Sequence, residues 1–403
     1  MKLSPLALKK ALSHPPEKGN TETMPRLSLF AGLFIVLLSI QALATNQAAA
    51  LETSAREALL LDLESGRVLM EKNADQPMPP ASMSKVMTVY LVFRDLKEGR
   101  LKLSDTLPVS EKAWRKGGSK MFVEVGKRVT VEDLIQGVIV QSGNDASIVL
   151  AEGLGGTEEA FAKQMTQTAL ELGMTGSNFV NATGWPDEGQ LMTARDLSIL
   201  AKRIIEDFPE YYGYFAEREF TYAGIKQSNR NPLLFKDIGA DGLKTGHTQE
   251  AGFGLTSSAK RDDRRLILVL NGLESERARS EESERLLEWG FREFRSYDLA
   301  KADQSLEEVP VWLGDKTTVP VAVDSDLKAT LSRSERNGMK VKVVYDSPVP
   351  APIAAGQEIA RLVVSAPEME DISVPLRAMA SVEKLGPVGR ITAAAKFLIF
   401  GQP

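Results

Sequence analysis

Between about residues 55 and 295 the chain opens on strand signals, closes on strand signals and fills the interval with helix signals. That order constrains the fold more than any other feature. Ala58 to Leu63 and Arg67 to Glu71 flank Glu64-Ser65-Gly66, which reads as a hairpin turning at Ser-Gly. Beyond Pro77-Met78-Pro79-Pro80, the spacing of Met83, Val86, Met87, Tyr90, Leu91 and Leu96 predicts a helix over 81–96. Further helices are expected over 131–140, 145–152, 158–172, 193–205 and 281–294. Two late strands, 253–258 and 266–271, are joined by the polar turn 261–264. The reading is an α+β or α/β domain on an antiparallel sheet, spanning residues 45–299.

After residue 300 the pattern changes to short β-branched runs at 309–313, 319–323, 341–345 and 360–364, separated by Gly, Pro, Asp and Ser. Residues 300–384 are therefore expected to form a small β-sandwich domain. The tail, residues 385–403, places Ile391, Ala394, Ala395 and Leu398 at helical spacing with Arg390 and Lys396 nearby. This is the pattern of an amphipathic helix lying on an anionic membrane surface. At the other end Leu27 to Ile40 is a 14-residue apolar run after Arg26 and before Ala42-Leu43-Ala44. It is too short to span a bilayer and has the layout of an export signal, so residues 1–44 read as leader and signal peptide, with Met1 or Met24 as the start.

Composition narrows the chemistry. The chain has no cysteine and two histidines, His14 and His247, so thiolate nucleophiles, disulfides and histidine-ligated zinc are excluded. Residues 1–44 carry five bases and two acids; the remainder holds 44 basic and 52 acidic residues, a net charge of −8. No basic block interleaved with aromatics occurs, which argues against a nucleic-acid partner. Any catalysis must use hydroxyls, carboxylates, amides and lysines, with neither metal nor organic cofactor expected.

Without an imidazole, a serine hydroxyl can be activated by an amine, and Ser-x-x-Lys on a helix puts both groups on one face. Four such pairs occur: Ser82/Lys85, Ser257/Lys260, Ser325/Lys328 and Ser381/Lys384. Ser82 alone follows prolines at an expected helix start, where free N–H groups favour developing negative charge. Met83, Val86 and Met87 would desolvate Lys85 and lower its pKa. Ser142-Gly143-Asn144 falls in an expected loop between helices, and Lys244-Thr245-Gly246 precedes the late strand pair. Taken singly, each reads more readily as an ordinary helix start, turn or strand approach; their order gives them weight.

Ser-x-x-Lys, Ser-x-Asn and Lys-Thr-Gly in that order resemble the low-molecular-weight penicillin-binding proteins, most closely the serine-type D-alanyl-D-alanine carboxypeptidases of peptidase family S11. The likeness runs from about 55 to 295 and takes in Met192-Thr193-Ala194-Arg195-Asp196-Leu197, Ser228-Asn229-Arg230-Asn231 and Leu286-Leu287-Glu288-Trp289-Gly290-Phe291. More loosely it extends to the β-rich domain and tail. The resemblance implies a β-lactamase/transpeptidase-like fold and removal of the terminal D-alanine from peptidoglycan stem pentapeptides through an acyl-enzyme that penicillin also forms. It implies Ser82 as nucleophile, Lys85 as its base and Ser142 as proton relay. Asn144 would hold the acyl-side amide, Lys244 and Thr245 the terminal carboxylate, and Gly246 and His247 complete the substrate-binding set. Arg279 sits where the family often places a carboxylate-binding arginine, and the N–H groups of Ser82 and His247 are the expected oxyanion donors. A periplasmic protein held peripherally at the outer face of the cytoplasmic membrane is the implied location.

Three other activities were weighed. Class A β-lactamases use Ser-Asp-Asn and a Glu-x-x-Leu-Asn loop, whereas this chain has Gly143 in the middle and no such loop. DD-endopeptidase cleavage of crosslinks uses the same motifs and stays open. A non-catalytic cell-wall scaffold is opposed by the intactness of all three motifs.

Overall fold

The structure, a computed structural model, describes residues 52–400. The expected leader and signal peptide, 1–44, and residues 401–403 of the tail lie outside them. β1 (Glu57–Asp62) and β2 (Val68–Lys72) form the opening hairpin, with Gly66 at φ 69° in its turn. A 3-10 turn, Ala81–Ser84, leads into α1 (Lys85–Lys97). The helical interval continues with β3 (Thr106–Pro108), α2 (Glu111–Arg115), β4 (Arg128–Thr130), α3 (Val131–Ile139), α4 (Asn144–Gly155), α5 (Glu158–Glu171) and α6 (Ala194–Asp207). A small hairpin, β5 (Glu219–Tyr222) with β6 (Ile225–Ser228), precedes β7 (Ala240–Thr248), β8 (Gly252–Arg261) and β9 (Arg264–Leu273), and α7 (Glu276–Glu293) closes the region.

The late strands fold back on the opening hairpin as a five-stranded antiparallel sheet in the order β2-β1-β9-β8-β7. Successive side chains of a strand point to opposite faces, and here both faces are covered. Leu59, Ile267 and Val269 join the core under α1, α3 and α6, while Ala58, Leu60, Leu266, Leu268 and Leu270 pack with Leu286 and Leu287 of α7. A helix–sheet–helix sandwich follows directly from these alternating apolar strands. α1, buried from Lys85 to Phe93, packs among α3, α4 and α6 in one helical layer. Helix starts are fixed by side chains: Thr130, Thr157, Thr193 and Ser275 each accept the N–H three residues on.

Two expectations shift. The helix expected from 281 begins at Glu276, because Ser275 caps a charged first turn that carries no apolar period. The helix expected from 81 is a 3-10 turn through Ser84 and α-helical only from Lys85.

From Phe294 the chain builds a second unit with β10 (Phe294–Ala300), β11 (Glu307–Trp312), β12 (Thr318–Ala322), β13 (Leu327–Ser332), α8 (Arg333–Gly338), β14 (Lys340–Val344), β15 (Val349–Pro350), β16 (Glu358–Ala366) and β17 (Met369–Ala378). A six-stranded sheet, β14-β16-β17-β12-β11-β15, wraps a core of Val309, Val311, Val319, Val321, Leu362, Val364 and Leu376, and β10 pairs with β13 beside it. The expected division at 299/300 falls at the end of β10. α9 (Pro387–Phe400) follows.

The two units meet at a seam of matched charge. Buried Asp62 accepts from Arg264 Nε (2.6 Å), Ser65 Oγ (2.7 Å) and, across the seam, Thr330 Oγ1 (2.9 Å). Arg67 grips Glu335 with both terminal nitrogens (2.9 and 2.6 Å) and donates to Thr330 O (2.6 Å).

Candidate active site

Pro80 ends the extended approach to the 3-10 turn, and Ala81 takes φ 48° to bring Ser82 to the head of α1. Three residues on, Lys85 is fully buried beneath it. Its Nζ lies 2.8 Å from Ser82 Oγ, 2.8 Å from Asn144 Oδ1 and 2.5 Å from the Thr183 carbonyl. Burial pulls the Lys85 ammonium down to about 7; the like charges of Arg230 and Lys116 act in the same direction and Asp145 against it. An ammonium there donates to all three oxygens. A neutral amine donates to two and turns its lone pair to the third. The other Ser-x-x-Lys pairs have no such geometry: Ser257 and Lys260 lie on strand β8, where residues three apart face opposite sides, and Ser325/Lys328 and Ser381/Lys384 start in connecting segments.

Ser142-Gly143-Asn144 is the link between α3 and α4. Ser142 is buried with φ 59°, a left-handed conformation uncommon for a residue with a side chain. Asn144, the first residue of α4, donates its N–H to Ser119 O (2.7 Å) and its Nδ2 to Gly117 O (2.9 Å). Its neighbour Asp145 accepts the N–H groups of Met121, Phe122, Val123 and Ala146 at 2.9 to 3.2 Å, which pins the 121–123 segment against the head of α4.

Lys244, Thr245 and Gly246 lie within a strand rather than ahead of one. β7 pairs with β8 from Ala240↔Ala259 to Thr248↔Gly252 and forms the edge of the sheet. A Cβ on Gly246 would stand 2.8 Å from Pro80 O, 3.1 Å from Met83 Cγ and 3.3 Å from Ala81 Cβ, so the edge strand and the nucleophile turn touch at this glycine. Lys244 is 2% exposed. Burial lowers its pKa well below the ordinary lysine value, with Lys85, Arg230 and Arg279 adding like charge. Its one hydrogen bond among the described residues is a long one to Thr245 O (3.3 Å). Arg279, 5% exposed in the first turns of α7, has its Nε buried and unpartnered, and burial lowers its pKa. Its guanidinium stands 5.8 Å from the Phe253 ring, on whose face the exposed His247 stacks at 3.9 Å.

Four residues at the site went unassigned in the sequence. Arg230, after β6, donates to Ser119 Oγ and weighs on Lys85, Lys244 and Arg279. The Thr183 carbonyl holds Lys85, and no side-chain pattern signals a carbonyl's direction. Lys116 and Trp185 stand together at the mouth, Nζ 4.3 Å from the ring centroid. The site thus gathers Lys85, Lys116, Arg230, Lys244 and Arg279, opposed by Asp145 and Glu276. A cation-lined site beside a serine and an amine suits an anionic substrate undergoing acyl transfer.

Comparisons with known proteins give the relatives of both units. Residues 44–274 match the family model for D-alanyl-D-alanine carboxypeptidase, and residues 294–384 the model for the C-terminal domain of penicillin-binding protein 5. The chain is 39% identical to D-alanyl-D-alanine carboxypeptidase DacC of Escherichia coli over 90% of its own length and 94% of that protein. Its fold matches penicillin-binding protein 5 of Haemophilus influenzae with a TM-score of 0.75 at 37% identity, over 83% of this chain and 98% of the other. The ampicillin-bound form of penicillin-binding protein D2 from Listeria monocytogenes matches at 32% identity and a TM-score of 0.55, over 60% of this chain and 98% of that one.

Proposed function

We propose, for a chain that belongs to the D-alanyl-D-alanine carboxypeptidase family of serine peptidases, that Ser82 is the acylated nucleophile and Lys85 its base. The carrying observation is the buried Lys85 amine, 2.8 Å from Ser82 Oγ and drawn down to about 7. With the amine neutral, Asn144 Oδ1 and Thr183 O take its two N–H bonds and the lone pair faces the serine hydroxyl. Ser82 Oγ attacks the carbonyl between the last two residues of a stem pentapeptide while its proton passes to Lys85. N–H groups of Ser82 and His247 stabilise the oxyanion. As the bond to the terminal residue breaks, Ser142 relays the proton to the departing amine, releasing D-alanine. Water then attacks the ester, returning Ser82 and a shortened stem.

The substrate lies along the edge strand β7, adding a strand to it, with Asn144 at its acyl-side amide. Its terminal carboxylate meets the Thr245 hydroxyl and the buried cations Lys244 and Arg279, which form no ion pair among the described residues. Penicillin presents a carbonyl and a carboxylate at matching positions and acylates the same serine. In support, the similar Listeria protein has been solved in its ampicillin-bound form.

We also propose that residues 1–44 direct export to the periplasm and that 385–403 hold the protein peripherally at the cytoplasmic membrane, with 45–299 as catalytic domain and 300–384 as β-rich domain. α9 leaves Val388 and Ile391 78% and 73% exposed, and no helix among the described residues is long and apolar enough to cross a bilayer. Ser82→Ala tests the catalytic reading. It should abolish both fluorescent-penicillin labelling and D-alanine release from a pentapeptide-stem muropeptide while circular dichroism stays unchanged. Labelling retained by the folded variant would overturn the assignment.

A further inference from the structure

The reading above accounts for the carboxylate end of the substrate and leaves the opposite end of the site without a role. At that end a tryptophan and an unpaired lysine face each other. Trp185 is 43% exposed, although its backbone is firmly held. Asn181 Oδ1 accepts the N–H groups of Thr183 (3.1 Å), Gly184 (2.8 Å) and Trp185 (3.1 Å), and Asn181 Nδ2 donates to Trp185 O (3.0 Å). This is the turn whose Thr183 carbonyl grips Lys85. Gly184 presses it against the nucleophile turn, where a Cβ would stand 1.8 Å from Ala81 O. The indole is therefore placed relative to Ser82 by backbone contacts. On its other side lies Gly118, whose Cβ would meet Asn144 Nδ2 at 2.8 Å and Trp185 Cζ3 at 3.1 Å. The ring thus borders Asn144, the residue assigned to the acyl-side amide.

Lys116 stands over this ring at 4.3 Å, half-buried, and forms no ion pair among the described residues. Glu158, the acid that acts on it, is bridged to Lys112 at 3.0 Å. Lys116 thus stands with Trp185 on the Asn144 side of the site, while Arg279 stands by Phe253 of β8. A substrate whose terminal carboxylate lies at Lys244 and Arg279 runs past Ser82 and Asn144 toward Trp185. We infer that Trp185 and Lys116 form a subsite for the residue preceding the two terminal D-alanines, selecting a side chain with an apolar stem that ends in a carboxylate. The stem lies on the indole face and the carboxylate meets the Lys116 ammonium. The inference rests on the substrate direction proposed above.

The test compares kcat/KM for D-alanine release from three acetylated tripeptides, X-D-Ala-D-Ala, where X is L-2-aminoadipate, its side-chain amide or L-alanine. Ratios between peptides are read, so that any general effect of Lys116 on Lys85 cancels. The wild type should prefer aminoadipate to its amide by about fivefold, the worth of a half-exposed ion pair. Lys116→Gln should bring that ratio to about one and Lys116→Arg should keep it, while Trp185→Leu should narrow the aminoadipate-to-alanine ratio by about threefold. A flat wild-type ratio, or a Lys116→Gln ratio equal to the wild type's, overturns the subsite while leaving the carboxypeptidase reading intact. Failure to release D-alanine from any peptide, with Ser82 unlabelled by penicillin, overturns both.

Discussion

The interdomain seam and the active site both bury charge, in opposite ways. At the seam each charge meets its complement: Asp62 faces Arg264 and Thr330, and Glu335 faces Arg67 in a two-pronged pair. Burial alone would raise the Glu335 carboxyl, but Arg67 and the Ser332 N–H outweigh it and hold it below the usual range. In the active site Lys85, Lys244 and Arg279 are each lowered by desolvation and by the like charge of Arg230, with no such complement. Matched burial fixes a geometry. Unmatched burial leaves an electrostatic deficit that the carboxylate of the proposed substrate would fill.

The largest expected effect tests the unmatched side. Lys85→Arg keeps the charge and loses the ability to be neutral near pH 7, so penicillin acylation should fall by about 10³-fold or more. In the unmodified protein the acylation rate should rise with pH through a midpoint near 7, as Lys85 loses its proton. Arg230→Gln removes a like charge and should move that midpoint to higher pH; an unmoved midpoint would show that another group sets it.

Next comes the matched side. Asp62→Ala leaves Arg264 with its partner gone and should cost about 3–5 kcal/mol in a urea titration. Lys244→Met, by contrast, swaps an unpaired buried ammonium for an apolar chain of similar length. It should be neutral or stabilising by about 1 kcal/mol while carboxylate binding is lost. Equal destabilisation by both substitutions would break the contrast. The smallest effect is Arg279→Ala, which removes one of several groups on the carboxylate. It should lower kcat/KM for D-alanine release by at least about tenfold, from a lost charged hydrogen bond of about 1.5–3 kcal/mol. Amidating the peptide's terminal carboxylate should erase that difference between wild type and variant.

What the sequence disclosed follows how local each signal is. Ser82 and Lys85 are read from a three-residue spacing, and helices such as 158–172 from their own apolar periods. β7 escaped notice because Gly242-Leu243-Lys244-Thr245-Gly246 has no alternation of its own; the strand exists through pairing with β8. The first turn of α7 is charged throughout and is made helical by Ser275. The small β-rich unit announced itself through Val309, Val319, Val341 and Leu362, whereas β13 and β17 carry more polar residues and were missed. Arg230 and Thr183 reach Lys85 only in the folded chain, across 145 and 98 positions, distances over which no local pattern holds information.

The contact at Gly246 bears on how such a protein can change under antibiotic selection. With Pro80 O 2.8 Å and Met83 Cγ 3.1 Å from where a side chain would begin, a substitution there cannot trim the cleft by degrees; it must displace the strand that holds the substrate. With drug and peptide sharing that floor as proposed, variation that tells them apart falls to the rim, where Trp185 and His247 are exposed. Routes to resistance on this scaffold are thereby steered to a few peripheral positions.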